Sequence, residues 1–274
     1  MLEKLEHKPR AVSFILWFIS FMAPFYILGV GFTYDQNLVW EILSSAIIYK
    51  LITYIWPCLI LHLAAYTLIY PTFKRQGYTR YFLAYAGILY TLIAVGQATA
   101  YIDGKPAIMV SNLVLTLLVV ALWLRDSYKP VNLEGKGKNW FLPLALFAFT
   151  APRSAAKYSP PWFWMWETAI KQPILVIPAL ALDSLAGYGT LAYCLFTPLA
   201  LTVAGKTGSV RPLTLRLTSL LGVAYSSIIW ISTLVKLITG QYPSGWFPIL
   251  WNAILHLPLL IICTYYFLVK WEKQ

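Results

Sequence analysis

The sequence predicts an all-α integral membrane protein of about eight transmembrane helices. Of its 274 residues, 59% are hydrophobic, 16% are aromatic and only 11% are charged. A soluble domain carries roughly 25% charged residues, so this chain cannot cover a water-facing surface. Apolar runs long enough to cross a bilayer recur along the chain and are separated by short polar segments. Together these observations indicate a multi-pass membrane protein.

Eight apolar segments are the predicted spans, because a helix that crosses a hydrocarbon core of about 30 Å needs about 20 mostly apolar residues. In the first part of the chain they lie at about 11–32, 46–70, 81–101 and 107–124. In the last part they lie at about 172–187, 189–204, 217–238 and 246–269. The prediction divides the chain into a four-helix half (1–124), a linker region (125–171) and a second four-helix half (172–274).

The linker region has a polar part and an aromatic part. The sequence from Arg125 to Lys138, RDSYKPVNLEGKGK, is the most polar stretch in the chain. The apolar run 140–150 is too short to cross a bilayer as a helix. It is followed by PPWFWMWE, and tryptophan favours the headgroup level of a membrane. We therefore expect this aromatic part to be interfacial or re-entrant.

The basic residues predict the orientation in the membrane. With eight spans and both termini on the cytoplasmic side, 18 of the 21 Lys and Arg residues fall on that side. The exceptions are Lys50, Lys105 and Lys236. Such a bias is typical of cytoplasmic loops, so the net charge of +11 indicates topology rather than nucleic-acid binding. The expected location is the cell membrane, with the lipid bilayer as the partner.

Similar landmarks recur in both halves and suggest an internal repeat. KRQGYTR joins spans 2 and 3 as KTGSVR joins spans 6 and 7, and IDGKP joins spans 3 and 4 as ITGQYP joins spans 7 and 8. Both halves would start inside, so the repeat would be parallel. The alternative is that basic inner loops and Gly/Pro turns recur in any membrane protein. If the repeat is real, we expect a cavity between the two halves.

Two histidines lie inside predicted spans, His62 in span 2 and His256 in span 8. Histidines on facing helices could ligate a haem b. Alternatively each is simply packed or hydrogen-bonded, and His256 could bond a backbone carbonyl that Pro258 leaves free. With only three histidines in the chain, a di-iron or multi-haem site is excluded.

Acidic and aromatic residues near span 5 are candidate ligand contacts. Asp183 is an acidic residue within a predicted span, where a carboxylate is costly and usually faces the bundle interior or a water-filled cavity. Its alternative is a solvated helix end. Glu167 lies among Trp162 and Trp166 and could face a cationic or aromatic ligand. The alternative for Glu167 is an ion pair with Lys171, four residues further on.

Amides within the spans form a second group of candidates: Gln97, Asn112 and Asn252. They could line a ligand cavity, or they could be polar contacts between helices. Phosphate-binding loops of the GxxxxGK[ST] type, HExxH motifs and paired aspartates that would hold magnesium are absent from the sequence.

Three functions fit these features. The first is a carrier or permease-like protein that binds a small or lipophilic ligand between two helical halves. The second is the membrane subunit of a redox complex, reactive with quinone or holding a single haem, with soluble redox subunits as partners. The third is a membrane-embedded lipid or prenyl-modifying enzyme with Glu41, Asp103 or Asp183 as proton donor.

Overall fold

Ten helices and four short strands make up the described part of the chain. The computed structural model describes residues 9–22, 26–29, 31–33, 38, 41–42, 45–52, 54–151, 188–241 and 246–270. Predicted span 5 (172–187) and the tryptophan-rich run therefore lie outside the described residues, with Asp183, Glu167, Trp162 and Trp166.

The helices and strands alternate in a simple order. The first part of the chain contains α1 (Pro9–Met22), β1 (Tyr26–Leu28), β2 (Gly31–Thr33), α2 (Ile47–Ile52), α3 (Ile55–Lys74), α4 (Gln76–Ala98), β3 (Thr99–Ile102), β4 (Lys105–Met109) and α5 (Val110–Tyr128). The remaining helices are α6 (Phe141–Thr150), α7 (Tyr188–Leu191), α8 (Tyr193–Thr207), α9 (Pro212–Thr239) and α10 (Trp246–Leu268).

Five helices in the described residues are long and apolar enough to cross a membrane: α3, α4, α5, α9 and α10. They correspond to predicted spans 2, 3, 4, 7 and 8. Helix α9 leaves Ile231, Leu234 and Ile238 exposed on its surface. Soluble monomers rarely expose large apolar patches, so this surface fits contact with lipid. The membrane class of the prediction is supported, whereas eight spans are not shown.

Helix α8 is the centre of the bundle. It packs against α3, α4, α6, α9 and α10, and 12 of its 15 residues are buried. A helix that is apolar on all sides belongs in an interior, which explains how so short a helix is stable here. Its Tyr193 and Phe196 pack around the ring of Tyr90 on α4, at centroid distances of 5.4 and 5.2 Å. Trp123 of α5 contacts the same tyrosine.

Helices from the two predicted halves pack against one another in the described residues. Helix α1 packs against α9 as well as α5, and α8 packs against helices from both sides of the linker. The aromatic cluster of Tyr90, Trp123, Tyr193 and Phe196 fills the contact between α4, α5 and α8. The internal repeat stays a prediction, and this part of the expected interface is packed with side chains.

A four-stranded antiparallel sheet, in the order β2-β1-β4-β3, was not predicted. The turn predicted within IDGKP is confirmed: Asp103 and Gly104, both at positive φ, join Ile102 to Lys105 in a two-residue hairpin. Positive φ at both central residues is the mark of a type I′ turn, for which Asp-Gly is a preferred sequence. Asp103 thus has a structural reason to be there.

Several predicted boundaries were wrong for the same reason. Span 1 was predicted to run to residue 32, but α1 ends at Met22, and residues 26–28 and 31–33 form two strands. Span 4 was predicted to begin at residue 107, but residues 105–109 form β4. In both places the residues pair as strands, β1 with β4, instead of extending the neighbouring helix.

Two further boundaries differ in detail. Predicted span 2 is divided into α2 and α3, with Tyr54 extended between them. Predicted span 6 has a break at Ala192 and continues to Thr207. Helix α5 includes Arg125 and Asp126, which were assigned to the linker.

Most of the basic segments in the described residues meet at one end of the bundle, which we call the basic end. The linker backbone runs beside the turn between α8 and α9, where Leu133 N–H donates to the Gly208 carbonyl at 2.8 Å. Tyr265 near the end of α10 donates to the Lys136 carbonyl at 2.6 Å. The ammonium of Lys206 lies 5.1 Å from the ring of Phe73 at the end of α3. The sheet lies at the opposite ends of α4 and α5.

Cysteine labelling tests the predicted orientation of these two ends. Gly77 and Lys105 are both exposed, the first at the basic end and the second in the sheet. In intact cells we expect Gly77→Cys to react with an impermeant maleimide only after permeabilisation, and Lys105→Cys to react directly. The background for both variants replaces Cys58, Cys194 and Cys263. Reaction of both positions from the same side would contradict the predicted topology.

Candidate functional site

His62 is the most unusual polar side chain within the described spans. It lies in the middle of α3 and is fully buried. Its ring stacks on Phe149 of α6, with centroids 3.9 Å apart and an angle of 10° between the planes. Its Nδ1 atom forms a short hydrogen bond with the hydroxyl of Thr190 on α7, which is also fully buried. The ring is therefore fixed by two segments far away in the sequence.

A glycine makes this approach possible. A Cβ atom at Gly189 would lie 1.8 Å from the Phe149 carbonyl oxygen and 3.1 Å from Cε1 of His62. Only a residue without a side chain lets α7 come so close to α6 and to the imidazole. Thus α3, α6 and α7 meet at one point, and Tyr66 completes the aromatic wall with its centroid 5.5 Å from that of His62.

The second ring nitrogen, Nε2, is buried and has no hydrogen-bond partner among the described residues. When the Thr190 hydroxyl donates to Nδ1, the ring proton of the neutral imidazole lies on Nε2. We assign this arrangement, in which Nε2 is the donor of the ring. A buried donor without an acceptor costs about 1–3 kcal/mol. An acceptor for Nε2 therefore has to come from outside the described residues.

His256 is bonded differently. Its Nδ1 lies 2.6 Å from the backbone carbonyl of Asn252, one turn earlier in α10. Because a carbonyl only accepts, Nδ1 carries a proton. The carbonyl that Pro258 leaves without its helical donor is that of Ile254, so the bond of Nδ1 to Asn252 is not the bond to a proline-freed carbonyl that the sequence allows.

The two histidines are at equal depth but are not paired. Each lies twelve residues before the end of its helix, or about 18 Å from the basic end at a rise of about 1.5 Å per residue. Helix α6 lies between them, because Phe149 stacks on His62 while Phe147 contacts Trp251 of α10. A haem held by both histidines would need the space that α6 occupies. This packing does not favour a haem held by both histidines, and that site stays a prediction.

The amides are dispersed rather than grouped around His62. Asn112 accepts a hydrogen bond from the hydroxyl of Tyr225, so it links α5 to α9 as a contact between helices. Gln97 is half-buried in the last turn of α4, and Asn252 is half-buried near the start of α10. All three lie in the part of the bundle away from the basic end. Their role in ligand binding stays a prediction.

Two of the three acidic residues proposed as proton donors of a lipid-modifying enzyme lie among the described residues, and neither is in a buried site. Asp103 lies in the hairpin turn and Glu41 is exposed. Groups of three or more His, Cys, Asp or Glu that could hold a metal ion do not occur among the described residues. Asp183, Glu167, Trp162 and Trp166 lie in 152–187, outside the described residues. Their roles are therefore proposals.

Sequence reasoning missed a buried carboxylate at the basic end. Asp126, fully buried at the end of α5, accepts a hydrogen bond from the backbone N–H of Arg211 at 3.0 Å and from the Thr214 hydroxyl at 2.7 Å. The Arg211 guanidinium binds its other oxygen at 2.5 Å. The carboxylate thus satisfies the N-terminus of α9, where a negative charge is favoured. The Arg-Pro pair at 211–212 is a helix-start signal that pointed to this site.

Comparison with protein-family models, with curated proteins and with solved structures finds no match for this chain. Its class therefore follows from its own residues. Five long apolar helices indicate a membrane-embedded helical protein, here with a small sheet at one end. Within that class, the described residues present one buried aromatic site with an unpartnered imidazole nitrogen.

Proposed function

We propose that the protein is a carrier-type membrane protein that binds a small lipophilic molecule inside its helical bundle. The observation that carries the proposal is Nε2 of His62, a buried ring nitrogen with no hydrogen-bond partner among the described residues. Ligand sites are commonly apolar and aromatic, with few polar groups that fix the orientation of the ligand. The surroundings of His62 fit that description.

The contacts of His62 favour a ligand with an acceptor oxygen. The walls of the site around His62 are the rings of Phe149 and Tyr66, and Gly189 contributes no side chain. A carbonyl, ether or hydroxyl oxygen on an otherwise apolar molecule would accept a hydrogen bond from the Nε2–H group. A bound ligand without such an oxygen would leave the Nε2–H group buried and unpaired, so the site would discriminate against hydrocarbons.

Asp183 is proposed as a second polar contact for the same ligand. It precedes Thr190 by seven residues along the chain, so the segment that carries it leads directly into α7. A carboxylate in a predicted span usually faces an interior site or a cavity. The proposal for His62 does not depend on Asp183, and the two are tested by separate variants.

Ligand occupancy tests the proposed function. The protein is purified in a mild detergent, its bound molecules are extracted, and they are identified and quantified by mass spectrometry. We expect a lipophilic, oxygen-bearing molecule at near-equimolar amounts in the parent and about tenfold less in His62→Phe. The variant should still fold, because a phenyl ring can keep the stack on Phe149, and its melting temperature should fall as the bonds to Thr190 and to the ligand are lost.

His256→Phe is the matched control, because it removes a buried histidine whose Nδ1 is bonded within its own helix. It should keep the bound molecule. Equal occupancy in His62→Phe and the parent would contradict the proposal. A haem absorbance band in the parent, or soluble subunits that co-purify with it, would instead favour the redox-subunit function.

A further inference from the structure

Arg216, near the start of α9, is a buried cation at the basic end. Only 3% of its surface is exposed. Its Nη2 atom donates to the carbonyl of Val269, just after the end of α10. Its Nε and Nη1 atoms are buried and have no hydrogen-bond partner among the described residues. Hydrogen bonds to a charged group are strong, so two unused donors on a buried guanidinium call for an acceptor.

A second guanidinium lies at the same helix end. Arg10, at the start of α1, donates from Nε to the Phe267 carbonyl at 3.2 Å and from Nη2 to the Leu268 carbonyl. The C-terminus of a helix carries about half a negative charge, which does not balance two arginines. Among the described residues, neither arginine forms an ion pair with a carboxylate. Asp126 pairs with Arg125 and Arg211, and Glu134 pairs with Lys136.

We propose that Arg216, together with Arg10, binds a phosphate group at the basic end of the bundle. Guanidinium groups bind phosphate through charge-assisted hydrogen bonds, and Arg216 has the N–H groups of Nε and Nη1 available for them. A phosphate monoester or diester would supply both the missing acceptors and the missing negative charge. This inference is independent of the ligand at His62.

The position of the site along α9 fits the headgroup level of a membrane. Helix α9 has 28 residues and is therefore about 42 Å long, which exceeds a hydrocarbon core of about 30 Å. Arg216 is its fifth residue, so it can lie outside that core while it is buried between α1, α9 and α10. Basic pockets between helices on the cytoplasmic side are known to bind lipid headgroups. The phosphate can thus belong to a lipid or be free in solution.

Thermal stability in detergent tests this site. Unfolding of the full-length protein is followed by tryptophan fluorescence while phosphatidylglycerol, phosphatidylcholine or inorganic phosphate is added. A ligand that binds only the folded state raises the melting temperature with its concentration. We expect phosphatidylglycerol to raise it, with the half-maximal concentration increased about tenfold in Arg216→Lys and in Arg10→Gln. A rise with inorganic phosphate alone would assign the site to a soluble phosphate.

Arg80→Gln is the matched control, since Arg80 is an exposed arginine at the same end of the bundle. It should respond as the parent does. If Arg216→Lys fails to fold, Arg10→Gln still tests the phosphate site, because Arg10 is exposed and its replacement should not prevent folding. An unchanged half-maximal concentration in Arg10→Gln would overturn the proposal. So would phosphate binding that appears only when Glu3, Glu6 and Glu272 are replaced by Gln, because the chain's own carboxylates would then fill the site.

Discussion

Replacing Asp126 with alanine is expected to destabilise the protein by roughly 3–5 kcal/mol. The substitution leaves the Arg211 guanidinium, the Arg211 N–H and the Thr214 hydroxyl without their common acceptor, all at the start of α9. Removing the buried carboxylate of an ion pair is costly, because the donors that surround it lose their charged acceptor. Thermal unfolding in detergent should show a large fall in the melting temperature, and Asp126→Asn should fall less because the amide oxygen still accepts.

Glu134→Gln is the control for this prediction. Glu134 also forms an ion pair, with Lys136 at 2.5 Å, but 57% of its side chain is exposed. An exposed pair contributes less than about 1 kcal/mol, so the melting temperature should hardly change. Equal melting temperatures for Asp126→Ala and the parent would mean that α9 is not held by this carboxylate.

Gly208→Ala is the second substitution with a large expected effect. Gly208 ends α8 with φ of +64°, and a Cβ atom there would lie 1.9 Å from the Leu133 carbonyl oxygen. The left-handed conformation costs an alanine about 1–2 kcal/mol, and the linker must also move away. We expect a total loss of at least about 3 kcal/mol in unfolding free energy, since the hydrogen bond from Leu133 to Gly208 is strained as well.

Gly240→Ala separates the two contributions. Gly240 ends α9 with φ of +69°, but a Cβ atom there meets nothing within 4 Å. It should therefore lose only about 1–2 kcal/mol, the conformational part. Hydrogen exchange of the linker amides at Val131, Leu133 and Lys136 should increase in Gly208→Ala and not in Gly240→Ala. If both variants lose the same stability, the linker does not pack against the α8–α9 turn as described.

The parts of the fold that depend on local sequence could be predicted. The apolar runs of α3, α4, α5, α9 and α10 are long enough to be recognised without any knowledge of their neighbours. The Asp103–Gly104 turn follows from its dipeptide. The strands could not be found in this way, because β1 pairs with β4 about 80 residues later in the chain, as in the register of Tyr26 with Met109. Because the strand residues are mostly apolar, the sequence predicts them as the ends of the neighbouring membrane helices.

The candidate site shows the same limit. His62 was recognised as a buried histidine in a span, but its partner Thr190 is 128 residues away and its stacking partner Phe149 belongs to a run that was expected to be interfacial. Sequence alone cannot show which ring nitrogen is used. Asp126 and Arg216 were counted as linker and loop charges, because nothing local distinguishes a solvated charge from one that a neighbouring helix covers.

An experimental density map of the detergent-purified protein around His62 tests the central claim most directly. The proposal predicts density that belongs to no residue of the chain, with its nearest atom within about 3.2 Å of Nε2. Density from a side chain of residues 152–187, or from a single water molecule, at that position would contradict it. In either case His62 would be a satisfied structural histidine and the ligand site would have to lie elsewhere.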